Sequence, residues 1–229
     1  MIVLGMDTSG AVASAAVVRD GVTLSVKSDD TPFGQARVLE SLVAAALDEA
    51  GTSLDELDGV AASRGPGSFT GSRLALAAAR AYKVALGKPV VGVTSLEALA
   101  LPLSAPGLRV VTAVDARRGE VYAAAYEHGP TPVEIAPPRC CRPEELASLA
   151  GGGRALFAGD GALRYREALP AGATVASPDA CVVSAASVAL IGASRLREHP
   201  RGQTWEKLVP LYLRRSDAEL KLDREPPEG

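Results

Sequence analysis

Two short stretches carry groups able to do chemistry at the ends of strands. Asp7-Thr8-Ser9-Gly10 follows the apolar run from Ile2 to Met6, and Asp115-Ala116-Arg117-Arg118 follows a run from Val110. A strand that ends in Asp and turns tightly into a second strand suits a phosphate. The turn's N–H groups cradle oxygens, and the carboxylate holds a metal ion or its water. Two such hairpins facing across a cleft would grip ATP or ADP with Mg, which makes Asp7, Thr8, Ser9, Asp115 and Arg117 the candidate nucleotide or phosphate groups. Taken singly, each Asp is as well explained as the start of a turn, and Arg117 and Arg118 as solvated turn residues. The repetition favours descent from a nucleotide-binding fold and leaves present-day nucleotide binding open.

Other chemistries have less behind them. Gly65-x-Gly67-x-x-x-Gly71 is not the dinucleotide fingerprint, whose last glycine comes one residue sooner, and no Gly-Lys-Ser/Thr follows to make a P-loop. These glycines read as turn geometry. Ser14, Ser63 and Ser68 have no histidine near them in sequence, and His128 and His199 sit in a turn and at a helix end. Glu97 and Glu120 read as structural or solvated. No residue is assigned as catalytic. Cys140, Cys141 and Cys181 show no zinc spacing and are expected reduced, with no role assigned.

The elements that hold the hairpins come in two similar sets. The first half reads as strands at Ile2–Met6, Val12–Arg19 and Val22–Val26, joined by the Asp20-Gly21 hairpin turn. A helix from Gln35 to Ala50, a strand from Gly59 to Ser63, the glycine turn and a helix to Leu86 follow, then a strand Val90–Val93 and a helix from Ser95. The second half reads as strands at Val110–Asp115, Glu120–Tyr126 and Val133–Ala136, a helix Arg142–Leu149, a strand Leu156–Ala158 and a helix Ala185–Arg197. Each half is therefore β-β-β-α-β-α, an α/β fold duplicated in architecture. The expected units are an N-terminal lobe 1–104, a smaller lobe 105–209 and a tail 210–229.

At 229 residues and 47% hydrophobic content the chain can bury a real core. A net charge of −3 argues against wholesale nucleic-acid or membrane-surface binding and leaves room for local basic patches. No apolar run approaches the roughly 20 residues of a membrane span, and no leader is recognised at MIVLGMDTS, so a cytoplasmic protein is expected.

The helix after the glycine turn is unusual. At about 100° per residue, Arg73, Arg80 and Lys83 share a narrow sector with Leu76, and the rest forms an apolar arc of roughly 220°. Packing on one core needs little more than about 100°. Such a helix is either sandwiched inside its own chain or exposed at a protein–protein interface.

At GMDTS, RGPGSFTGSR, LGKPVVGVTSLEALA, VDARRGEVYAAAY and VPLYLRR the chain resembles the bacterial TsaB (YeaZ) family. The likeness is close from Ile2 to about Tyr126, returns at Leu208–Arg215 and is loose between. It implies a duplicated actin/sugar-kinase/Hsp70-ATPase (ASKHA) fold. It also implies a non-catalytic dimerisation subunit of the machinery that makes N6-threonylcarbamoyladenosine at position 37 of tRNAs reading ANN codons. The implied partners are the catalytic subunit TsaD and the ATPase TsaE, with homodimers when alone and tRNA contact indirect or weak. The implied interface is Leu39, Leu42 and Val43 on the first helix with Phe69, Arg73, Leu74, Ala75, Ala78, Ala81, Tyr82 and Ala85 on the second. The histidines by which TsaD holds metal are missing from Pro32–Leu42, where Gly34 replaces the one that many relatives keep. No metal site is expected. The alternatives are an ATP-dependent small-molecule kinase of the same fold and a peptidase-like protein.

Overall fold

The computed structural model describes residues 1–31 and 35–214, with side chains in the first helix from residue 37 onward. The stretch around Gly34 and the last part of the tail lie outside the described residues. The first set of elements is β1 (Ile2–Asp7), β2 (Ala13–Arg19), β3 (Val22–Asp29), α1 (Gln35–Ala50), β4 (Gly59–Ser63), α2 (Phe69–Leu86), β5 (Val90–Val93) and α3 (Ser95–Ala100). The second is β6 (Arg109–Arg117), β7 (Glu120–Glu127), β8 (Val133–Cys141), α4 (Leu146–Ala150), β9 (Ala155–Ala158), α5 (Asp160–Arg164), β10 (Thr174–Val175) and α6 (Ala185–Glu198).

Each set builds a five-stranded mixed sheet, in the orders β3-β2-β1-β4-β5 and β8-β7-β6-β9-β10. In both, three antiparallel strands are followed by two parallel ones. The duplication read from the sequence is thus present strand for strand. Asp20 and Gly21 both take positive φ, as a two-residue hairpin turn demands.

Alternation along β1 decides what covers the first sheet. Leu4 and Met6 face α1 and α2, in a core shared with Leu39, Val43, Ala75, Leu76 and Ala79. Val3 faces the other way, toward Val188, Ala189, Ile191 and Leu196 of α6. Gly5 lets α6 come that close, since a Cβ there would lie 2.2 Å from the Ala185 carbonyl oxygen. The helix read as closing the second repeat therefore covers the first sheet, and α5 takes the last place in the second lobe's β-β-β-α-β-α order. A division of the chain at 105–209 assigns α6 by sequence position rather than by packing.

Two further readings are corrected. The third strand of the second lobe continues through Pro137-Pro138 to Cys141, beyond the expected end at Ala136. Proline is tolerated there because β8 is an edge strand. The helix expected at Arg142–Leu149 is a 3-10 turn, Pro143–Glu145, followed by α4.

Helix α3 joins the lobes. All six of its residues are buried, Ala98 and Leu99 in the core beneath α6 and Leu96 and Ala100 against Val110, Ala124 and Tyr126 of the second sheet.

Candidate functional site

The first hairpin is closed by the glycine turn. Asp7 and Thr8 are fully buried and Ser9 nearly so. Asp7 Oδ1 accepts hydrogen bonds from the Ser9 N–H at 3.1 Å and the Ser9 hydroxyl at 2.6 Å. The Thr8 hydroxyl donates to the Gly71 carbonyl at 2.7 Å and accepts from the Ala75 N–H at 3.1 Å. The Ser68 N–H donates to the Ser9 carbonyl at 2.8 Å, and the Ser68 hydroxyl caps α2 by accepting from the Gly71 N–H. A Cβ at Gly71 would sit 1.8 Å from the Thr8 carbonyl oxygen, so this contact explains the glycine. The turn and the hairpin form one knot at the head of α2.

Burial pushes the Asp7 carboxyl above the usual carboxylate range, with the neighbouring Ser63 and Ser9 hydroxyls acting in the opposite direction. Neither Asp7 Oδ2 nor Ser63 Oγ is in hydrogen-bonding geometry with another protein group. Desolvation of this kind favours the neutral form of the carboxyl.

The second hairpin is tied up differently. Asp115 Oδ1 accepts from the Arg117 N–H at 2.9 Å and from the Tyr165 hydroxyl at 3.4 Å. Its Oδ2 pairs with Arg117 Nη1 at 3.2 Å and Arg164 Nη1 at 3.7 Å. Arg117 turns back onto its own hairpin's carboxylate, and its backbone is left-handed.

The interface residues divide into three groups. Leu39, Val43 and Ala75 are 1%, 2% and 0% exposed and lie in the core on the first sheet. This corrects their reading as surface residues: the inward stripes of α1 and α2 claim them. Leu76, placed among the basic residues by angle, is also core. Phe69 and Arg73 are exposed but face the C-terminal segment: the Arg73 guanidinium is 3.3 Å from the Phe69 ring centre and 5.3 Å from that of Tyr212, and the two ring centres are 6.0 Å apart. Leu42, Leu74, Ala78 and Tyr82 are half-buried, and Ala81 and Ala85 exposed. These six share the outer flank of α1 and α2, where the Tyr82 hydroxyl donates to Glu40 at 2.8 Å. Burial and this acceptor push the Tyr82 phenol above its usual range.

Ala77 and Val84 fall in the apolar arc read from the sequence but not among its interface residues, although Val84 is 75% exposed. It also missed the role of the C-terminal segment. The Gln203 N–H donates to the Val90 carbonyl, Leu208 is buried under α2, and the Leu211 N–H donates to the Arg64 carbonyl. Arg214 then reaches the second lobe and bonds Glu120 at 2.5 Å. An apolar Leu208-Val209-Pro210-Leu211 run in a polar tail was the available signal. Cys140 is half-buried and Cys141 and Cys181 are buried, all three as free thiols that burial pushes upward in pKa.

Residues 35–222 match the family model described as TsaD, tRNA N6-adenosine threonylcarbamoyltransferase. An uncharacterized protein of Mycobacterium leprae is 36% identical over 98% of this chain, which spans 58% of that relative's length. An uncharacterized Mycobacterium tuberculosis protein, also 36% identical, is spanned over 93% of its length. The tRNA threonylcarbamoyladenosine biosynthesis protein TsaB of Escherichia coli is 34% identical over 56% of this chain and 55% of its own. A Pseudomonas aeruginosa crystal structure described as similar to peptidase YeaZ superposes with a TM-score of 0.80 at 30% identity, covering 93% of this chain and 99% of that one. Component A of the Acidaminococcus fermentans (R)-2-hydroxyglutaryl-CoA dehydratase shares the fold alone, with a TM-score of 0.51 at 12% identity over 86% of this chain and 99% of that one. The closed hairpin knot, the duplicated actin-like sheets and these matches together place the chain in the TsaB/YeaZ family, within the wider family that the TsaD model describes.

Proposed function

We propose that the chain is the non-catalytic dimerisation subunit of the complex that transfers threonylcarbamoyl to N6 of adenosine 37 in tRNAs reading ANN codons. The observation that carries this reading is the apolar outer flank of α2, with Leu74, Ala78, Ala81 and Ala85 beside Tyr82 and Leu42. Short side chains there let a partner helix approach closely, and Val84 adds an apolar edge. The partner on this flank is TsaD, which the subunit holds in its active arrangement; TsaE joins the pair. In the absence of TsaD the same flank pairs two copies of this chain.

The hairpins support a scaffold rather than an ATP-using enzyme. Mg-ATP needs an open carboxylate and free turn N–H groups. Asp7 is buried with its Ser9 N–H engaged, and both oxygens of Asp115 are occupied by arginines and a tyrosine. The donor sets do not fit the nucleotide.

The test is co-elution with TsaD from the same organism on a sizing column. Wild type elutes with TsaD as one species, and Ala81→Arg, on an exposed position, elutes apart while melting as wild type does. Continued co-elution of Ala81→Arg would show that the flank is wrong.

A further inference from the structure

Around the helix from the apolar flank, α2 presents a second surface of different chemistry. Among the described aromatic residues, the exposed ones are Phe69, Trp205 and Tyr212, and all three lie on this side. Each has a cation at its face. Arg73 covers Phe69 at 3.3 Å and stands 5.3 Å from Tyr212, while Arg80 and Lys83 each stand 5.3 Å from Trp205.

The C-terminal segment also has attachments that do not involve these rings. They are buried Leu208, Gln203, whose N–H and side chain bond Val90 and Gly92 and whose carbonyl accepts from Lys83 Nζ, and the Leu211 N–H on Arg64. Trp205 stays 39% exposed and Tyr212 52% exposed although the segment is already fixed. Large exposed rings alternating with cations along about 20 Å of helix match the chemistry of unpaired RNA. Bases stack on aromatic or guanidinium planes, and the cations meet the phosphates. An acidic protein segment would use the cations and leave the rings without work.

We propose that this basic–aromatic flank of α2 and the C-terminal segment contacts an unpaired RNA stretch directly. The inference rests on the reading that the complex acts on tRNA, and it makes this subunit a direct contributor to RNA contact in spite of the chain's net charge of −3.

Trp205 is the chain's single tryptophan, so its fluorescence reports the proposed stacking. The full chain is titrated at low salt with a short RNA stem–loop, with the same RNA as a complete duplex, and with polyglutamate. The stem–loop quenches Trp205 and the other two do not. An Arg73→Gln/Arg80→Gln double variant, melting as wild type does, binds the stem–loop at least about tenfold more weakly and loses about 1.4 from the slope of log K against log salt. An Arg166→Gln control, on the second lobe, binds as wild type does. Equal quenching by polyglutamate would reassign the surface to an acidic protein. Absence of quenching, or an unchanged double variant, would overturn the proposal. Co-elution with TsaD, measured on the same samples, separates that failure from failure of the scaffold reading.

Discussion

Replacing Asp7 by Asn should stabilise this protein at neutral pH. In the Asp7→Asn variant the amide oxygen keeps both acceptor bonds from Ser9, and a neutral N–H donor replaces Oδ2 beside the Ser63 hydroxyl. Removing the cost of burying the carboxylate's charge is worth about 1–3 kcal/mol. For a chain of this size that raises Tm by about 2–12 °C. The pH dependence carries a sign that can be checked. Burial raises the folded-state pKa of Asp7 above its unfolded value. Between those two values the folded protein binds more protons than the unfolded one, so stability from this group falls as pH rises. Its contribution is full below the unfolded carboxylate value and is lost as pH passes through the folded one. The advantage of Asn over Asp therefore grows with pH across that window and then levels off. Asp20, Asp29, Glu56 and Glu206 have lowered pKa values and the opposite slope, but both proteins keep them, so they cancel in the difference. Thermal melts of both proteins from acid to neutral pH make the comparison. A variant less stable at neutral pH, with a deficit growing as pH rises, would refute the reasoning. It would mean that Asp7 is a charged group held by a cation or by donors, as in a working nucleotide site.

The knot at the head of α2 predicts that Gly71→Ala costs about 3 kcal/mol or more in a denaturant titration, because backbone must move away from the Thr8 carbonyl, whereas Gly10→Ala, with nothing within 4 Å of its Cβ, stays within about 0.5 kcal/mol. Leu208→Ala empties a fully buried site beneath α2 and is expected to cost about 2–5 kcal/mol. It should also speed limited proteolysis between Gln203 and Arg214, and unchanged cleavage there would show that Leu208 does not anchor the segment. Arg214→Ala removes the bond to Glu120 and the link from the segment to the second lobe. Its melting temperature should fall by no more than a few degrees, with faster amide exchange at Leu211 as the accompanying sign.

Much of the fold was legible because local signals agreed with the packing. Asp20-Gly21 could only be a tight hairpin, Gly87 stops α2 in a left-handed cap, and Ser68 and Thr94 cap the helices they precede. The repeated Asp at the end of a strand disclosed the duplication. What stayed hidden was set by contacts distant in sequence. Periodicity shows how many sides of α2 are apolar, but not which side its own chain covers, so Ala75, Leu39 and Val43 were read as surface. Nothing local to Ala185–Glu198 says that Gly5, far earlier in the chain, opens the first sheet to it. The chemistry assigned to Asp7 also depended on such contacts, because the residues that close its hairpin lie at Ser63–Gly71.

On the proposed reading, this chain is needed for threonylcarbamoyl transfer without supplying a catalytic or nucleotide-binding group. The most direct test is formation of threonylcarbamoyladenosine on tRNA in a mixture of TsaD, TsaE and the adenylate-forming enzyme from the same organism. Omitting this chain should collapse the modification, and adding either wild type or an Asp7→Asn/Asp115→Asn double variant should restore it equally. Undiminished modification without the chain, or a double variant that pairs with TsaD yet fails to restore activity, would contradict the account.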